Sequence, residues 1–68
     1  MSEITEQVGS QIREARRARG LTLKEVGERM GVAEATVSRY EKGGQNLTVE
    51  TLHKIAEALG LKFGVFFK

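Results

Sequence analysis

The chain has no cysteine, no proline and a single histidine, His53. Without cysteine there is no disulfide and no thiolate metal ligand, and one histidine is too few for a histidine-based zinc site within one chain. No apolar run approaches the roughly 20 residues that a membrane-spanning helix needs. The start, Met1-Ser2-Glu3, lacks the basic-then-apolar pattern of a secretory signal. These absences lead us to expect an intracellular, cytoplasmic protein with no cofactor, no metal and no membrane partner. Catalysis is not expected either. Glu28 and Glu57 fall on separate helix surfaces, and His53 lies beside an apolar stripe, where a half-exposed surface role suits it better than acid–base work.

What is there is short and basic. A core built from 68 residues supplies only about 3–5 kcal/mol unless very good helix packing or a second subunit adds to it. The net charge is only +2, but the excess is uneven. Arg13, Arg16, Arg17 and Arg19 crowd one short stretch, opposed there only by Glu14. Such a cluster reads either as an electrostatic footprint for phosphate or as a solvated helix face.

Glycines punctuate the chain at Gly20, Gly31, Gly43-Gly44 and Gly60, dividing it into four segments and a tail. In the first, from about Ile4 to Arg19, Ile4, Val8, Ile12 and Ala15 recur on one helix face, and arginines fill the last turn, where the helix dipole favours them. The second opens on Thr22-Leu23-Lys24-Glu25, a capping box, with Val26 and Met30 turned inward and Glu25 and Arg29 spaced as a surface pair. The third, Glu34 to Glu41, carries Val37 and Tyr40 inward. The fourth has Thr48 as its N-cap, Glu50 in its first turn, and Val49, Leu52, Ile55, Ala56 and Leu59 as its stripe.

The second and third helices, joined by a turn at Gly31-Val32-Ala33, have the spacing of two short helices packed at a steep angle. An exposed short helix of this kind fits a major groove about 12 Å wide. Its outer face then needs small or polar side chains, and Ala35, Thr36, Ser38 and Arg39 supply them. The tail changes period: Leu61, Phe63, Val65 and Phe67 alternate with Lys62, Gly64, Phe66 and Lys68, a strand pattern. A lone strand leaves backbone groups unsatisfied. The tail therefore pairs with the same strand of a second copy, with Leu61, Phe63, Val65 and Phe67 at the interface, or it folds back onto the core as coil.

From Val8 to Leu61 the chain resembles the Cro/C1-type, or XRE, helix-turn-helix domains. The match is carried by Ile12-Arg13, Arg16, Gly20-Leu21-Thr22, Glu25-Val26, Gly31-Val32, Thr36-Val37-Ser38, Glu41-Lys42-Gly43, Leu52, Ile55-Ala56 and Ala58-Leu59-Gly60 in order and at the right spacings. The resemblance implies an all-α fold: a compact, lambda-repressor-like domain of four to five helices over residues 1–60, the motif at about 22–41, and a C-terminal strand over 61–68 for dimerisation. It implies an internal ion pair between Arg16 and Glu41. It places Glu34, Ala35, Ser38 and Arg39 at the bases, and Lys42, Gln45 and Asn46 on phosphate beyond the third helix; Thr36, on the same outer face, is counted with the DNA-binding residues. Thr22 and Lys24 stand at the N-terminus of the second helix, where amides favour an anion. Two positions depart from the family. Leu23 stands where a glutamine usually bonds phosphate, and Ala33 is a poor N-cap. Glu34 either accepts a bond from a cytosine amine or complements the helix dipole.

The expected function is sequence-specific binding of double-stranded DNA by a homodimeric repressor at a palindromic operator. The strand-like tail also resembles HipB-like antitoxins, which implies the alternative: an antitoxin whose main role is to bind and neutralise a protein toxin.

Overall fold

The computed structural model describes residues 3–68. Met1 and Ser2, part of the reading against a secretory signal, lie outside the described residues. Four helices follow in order: α1 (Glu3–Ala18), α2 (Leu23–Met30), α3 (Glu34–Lys42) and α4 (Val49–Leu59). None of these helices is long and apolar enough to cross a membrane.

The boundaries follow from local chemistry. Thr22 caps α2: its hydroxyl accepts from the Glu25 N–H at 3.0 Å, and the Glu25 carboxylate accepts from the Thr22 N–H at 2.9 Å. The Thr22 N–H, and after it the Thr22 hydroxyl, hold the Glu25 carboxyl below its ordinary range by hydrogen bonding to its charged form. Thr48 caps α4 by accepting from the Thr51 N–H at 3.0 Å. Ala33 precedes α3 with no side-chain cap, as its chemistry predicts. Helices α2, α3 and α4 each stop at a glycine with positive φ, a conformation that costs other residues strain.

The core is small. Ile12, Val26, Val37, Ile55, Ala58 and Leu59 form it, and Val8, Ala15, Leu21, Leu23, Met30, Tyr40, Leu47 and Leu52 pack around it half-buried. Val26 and Val37, one from α2 and one from α3, are the most deeply buried side chains. They fix the angle between the two helices from the inside.

Four expectations are corrected. The tail 61–68 is not a strand: among the described residues there is none, because nothing within a helical chain offers an edge to pair with. It runs as coil, with Phe63 half-buried and its ring centroid 6.2 Å from that of His53. The pairing of Leu61, Phe63, Val65 and Phe67 across a dimer as strands therefore has no support in this fold. Ile4 and Val49 are exposed at 64% and 63%, since each sits in the first turn of its helix, where the apolar stripe runs past the end of the core. The surface pair expected between Glu25 and Arg29 gives way to other bonds: Glu25 turns to Thr22, and Arg29 donates to the Ala58 carbonyl of α4 at 2.9 Å.

Candidate nucleic-acid interface

The α2–turn–α3 unit is held rigid by a backbone contact. At Gly31 φ is +74°, and the Val32 N–H returns to the Gly27 carbonyl at 2.9 Å. The turn then presses on Gly27, where a Cβ would lie 2.7 Å from the Val32 oxygen. Only glycine leaves room for the turn to come that close.

With Val37 buried and Tyr40 turned inward, α3 shows its other side to solvent. Glu34, Ala35, Arg39 and Lys42 are exposed, and Thr36 and Ser38 are half-buried between them. The Arg39 guanidinium rests back on its own helix, Nη2 lying 3.4 Å from the Thr36 hydroxyl, a weak contact that leaves it free to extend. Gln45 and Asn46 continue the exposed polar strip beyond the end of α3, and Thr22 and Lys24 are exposed at the start of α2. At that end the Thr22 N–H is already bonded by Glu25, so the capping carboxylate competes with any anion for this helix terminus. Leu23, in place of the family's glutamine, is half-buried against the core.

The far end of α3 is clamped to α1. Arg16 forks onto Glu41, Nε to Oε2 at 2.6 Å and Nη2 to Oε1 at 3.1 Å, and its third donor reaches the Leu21 carbonyl at 2.9 Å. The two side chains are only 12% and 7% exposed. The bond to Glu41 raises the Arg16 pKa further, against the opposing effect of burial. One guanidinium thus joins α1, the α1–α2 turn and the last turn of α3.

A second clamp was not foreseen. Gly9 of α1 lies flat on the end of α3: a Cβ there would sit 2.6 Å from the Glu41 carbonyl and 2.9 Å from both the Gly43 nitrogen and the Tyr40 oxygen. From the other side, a Cβ on Gly43 would meet the Glu6 Cα and the Thr5 oxygen at 2.7 Å. The signal in the sequence was glycine inside a helix, as at Gly9 and Gly27. Each costs about 1 kcal/mol against alanine and is kept where backbones must approach closely. The arginine cluster also divides. Arg16 is internal and Arg19 donates to the Gly60 carbonyl at 3.1 Å, so only Arg13 and Arg17 remain as uncommitted exposed cations of that group.

A short helix with a polar outer face, seated through a glycine turn on a second helix and clamped at its far end, defines a helix-turn-helix domain. Residues 12–66 match the family model HTH_3, described as Helix-turn-helix. An HTH-type transcriptional regulator of Sinorhizobium fredii, y4dJ, is 44% identical over 54 residues, covering 79% of this chain and 70% of its own. One from Methanothermobacter thermautotrophicus is 45% identical over 49 residues, 72% of this chain and 71% of its own. Among solved structures, the clp gene regulator ClgR from C. glutamicum superposes with a TM-score of 0.84 at 30% identity, over 90% of this chain and 78% of that one. The restriction-modification controller protein C.AhdI from Aeromonas hydrophila superposes with a TM-score of 0.83 at 26% identity, over 90% of this chain and 92% of that one. The chain belongs to the Cro/C1-type (XRE) helix-turn-helix family and is a DNA-binding transcriptional regulator. These names say regulator and controller, and none of them mentions a toxin. The narrower likeness to HipB-type antitoxins remains a likeness of sequence.

Proposed function

We propose that the protein is a dimeric repressor that binds a palindromic operator, each copy placing α3 in a major groove. The observation that carries this reading is the outer face of α3, where Ala35 and Arg39 are exposed beside Thr36 and Ser38 while the helix is immobilised from behind by Val37, Arg16 and Gly9. Base readout needs side chains that reach out from a backbone that does not give. One copy offers one nine-residue helix, and the chain is 32 Å across its longest dimension. Two grooves one turn apart, about 34 Å, call for two copies.

In this arrangement Arg39 forks onto a guanine, Ala35 contacts a thymine methyl, and Thr36 and Ser38 bond base edges or the adjoining backbone. Thr22, Lys24, Lys42, Gln45 and Asn46 hold phosphate and set the register without reading sequence. Glu34 stands in the uncapped first turn of α3. There it complements the helix dipole, the alternative being a bond accepted from a cytosine amine. Residues 1–60 form the reading unit, and the tail 61–68 serves the dimer.

The test begins with selection of bound duplexes from a randomised pool, since no operator is presupposed. Arg39→Ala is then compared with the parent on the selected site and on variants of it. The expected result is a loss of about 1–3 kcal/mol of discrimination at one base pair per half-site, with binding to unrelated duplex nearly unchanged. If Arg39→Ala weakens all sequences equally, Arg39 is a phosphate contact and the assignment of α3 as the reading helix loses its main support.

A further inference from the structure

The arginine cluster of α1 leaves two members without a task. Arg16 is engaged with Glu41 and Arg19 with the Gly60 carbonyl. Arg13 and Arg17 are exposed and make no hydrogen bond or ion pair among the described residues. They stand one turn apart, about 6 Å along the helix axis, and like charges so spaced repel each other. Glu14 is the acid placed to relieve them, three residues before Arg17, yet it pairs with neither among the described residues. Two unrelieved guanidinium groups suit an anion supplied from outside the chain.

Their place on the fold says which anion. At about 100° per residue, the surface of α1 passes from buried Ile12, through Gly9 and Arg16 at the seam with α3, to Arg13 and then Arg17 on the solvent side. The surface of α3 passes from buried Val37, through Glu41 at the same seam, to Ser38 and Lys42 on its solvent side. One cleft therefore has Arg13 and Arg17 on one bank and the outer face of α3 on the other. The crossing is close, since a Cβ on Gly9 would sit 2.6 Å from the Glu41 oxygen. A duplex seated on α3 brings a phosphate strand alongside the two arginines.

We infer that Arg13 and Arg17 form a second phosphate grip, outside the helix-turn-helix motif, on the strand that flanks the groove α3 enters. The inference rests on the reading of α3 given above and adds to it two contacts made by α1. Charges along one strand recur about every 3.4 Å of helix axis, so two groups about 6 Å apart reach neighbouring phosphates. Such contacts fix register and angle without reading sequence. Because Gly9 and Arg16 join α1 to the end of α3, the grip and the reading helix move together.

Salt dependence tests this, because each neutralised phosphate adds about 0.9 to the slope of log affinity against log salt. The full-length parent, Arg13→Gln/Arg17→Gln and Lys54→Gln/Lys68→Gln are titrated with the selected duplex and with an unrelated one. The lysine variant loses the same charge from α4 and the end of the tail. In the arginine variant the slope should become shallower by about 2 per bound copy, with affinity about 10-fold lower on both duplexes. Its base preference should be unchanged, and the lysine variant should stay near the parent. Arg13→Lys/Arg17→Lys should recover most of the slope, since an ammonium also holds phosphate as a point charge. Melting temperature should not fall, as neither arginine has a partner to lose. Equal changes in the arginine and lysine variants would mean that only net charge matters, which overturns the inference. A parental slope in the arginine variant, with α3 still reading its site, overturns the grip and leaves the reading of α3 standing. An altered base preference would make the arginines base contacts and overturns the phosphate assignment. A parent with no preference for any duplex overturns both.

Discussion

The two faces of α1 are built in opposite ways. Toward α3 the helix presents Gly9 and Arg16, whose contacts are specific: a backbone crossing that a methyl group would block and a forked ion pair with its third donor used on Leu21. Toward α4 and the tail it presents Ile4, Val8 and Ile12, and the contacts are apolar, adaptable and incomplete. The first face is finished within a single copy. The second leaves large side chains in water beside a hollow. One face of α1 thus fixes the position of α3 by directional bonds, and the other leaves apolar surface exposed.

The largest expected effect breaks the rigid face at its ion pair. Arg16→Ala or Glu41→Ala leaves the other charge almost buried and unpaired, which costs about 3–5 kcal/mol and, in a chain with so small a core, removes most of its stability. Thermal unfolding of both single variants and the double variant checks this. The double should lose clearly less than the sum of the singles, because no charge is stranded. Additive losses would mean that the two side chains act as independent surface charges, and the contrast between the faces would collapse.

A pair of glycines offers a second, smaller contrast. Gly9→Ala places a methyl group 2.6 Å from a main-chain oxygen, on a backbone that cannot move without shifting the end of α3. A loss of about 1–3 kcal/mol is expected, although alanine is the better helix former by about 1 kcal/mol. A methyl at Gly64 in the tail meets nothing within 4 Å. Gly64→Ala should be neutral or stabilising by less than about 1 kcal/mol, through the unfolded chain. Denaturant midpoints of the two variants give the comparison directly. If Gly9→Ala is stabilising, α1 and α3 are not locked together by their backbones.

The two faces were unequally legible in the sequence. Helix order, the capping box at Thr22, the N-cap at Thr48, the glycine stops and the Arg16–Glu41 pair could be read because each is a local rule or a pair of opposite charges at recognised positions. The close approach at Gly9 could not, since a mid-helix glycine says that something comes near but not what. The tail misled for a related reason. Alternation in Leu61, Phe63, Val65 and Phe67 records which residues are apolar, yet strand formation also needs an edge to pair with, and no position in the chain encodes whether one is present. The arginine cluster likewise showed charge without showing that Arg16 and Arg19 are engaged within the fold.

The smallest effect concerns the capping box at the start of α2, on the directional side of the molecule. The Glu25 carboxyl is held below its ordinary value of about 4.5 by the Thr22 N–H and hydroxyl. A group with a lowered folded pKa adds stability above its unfolded value and loses it as pH falls through the folded one. Glu25→Gln keeps a side-chain oxygen able to accept from the Thr22 N–H but removes the charge. The parent should therefore melt slightly higher than the variant at neutral pH, and the gap should close on acidification below about 4.5, where the parent's carboxylate becomes protonated. Melting curves at several pH values with constant salt measure the gap. One that stayed constant down to the most acid point would mean that the charge on Glu25 adds nothing, and that this end of the reading unit is fixed by neutral hydrogen bonds alone.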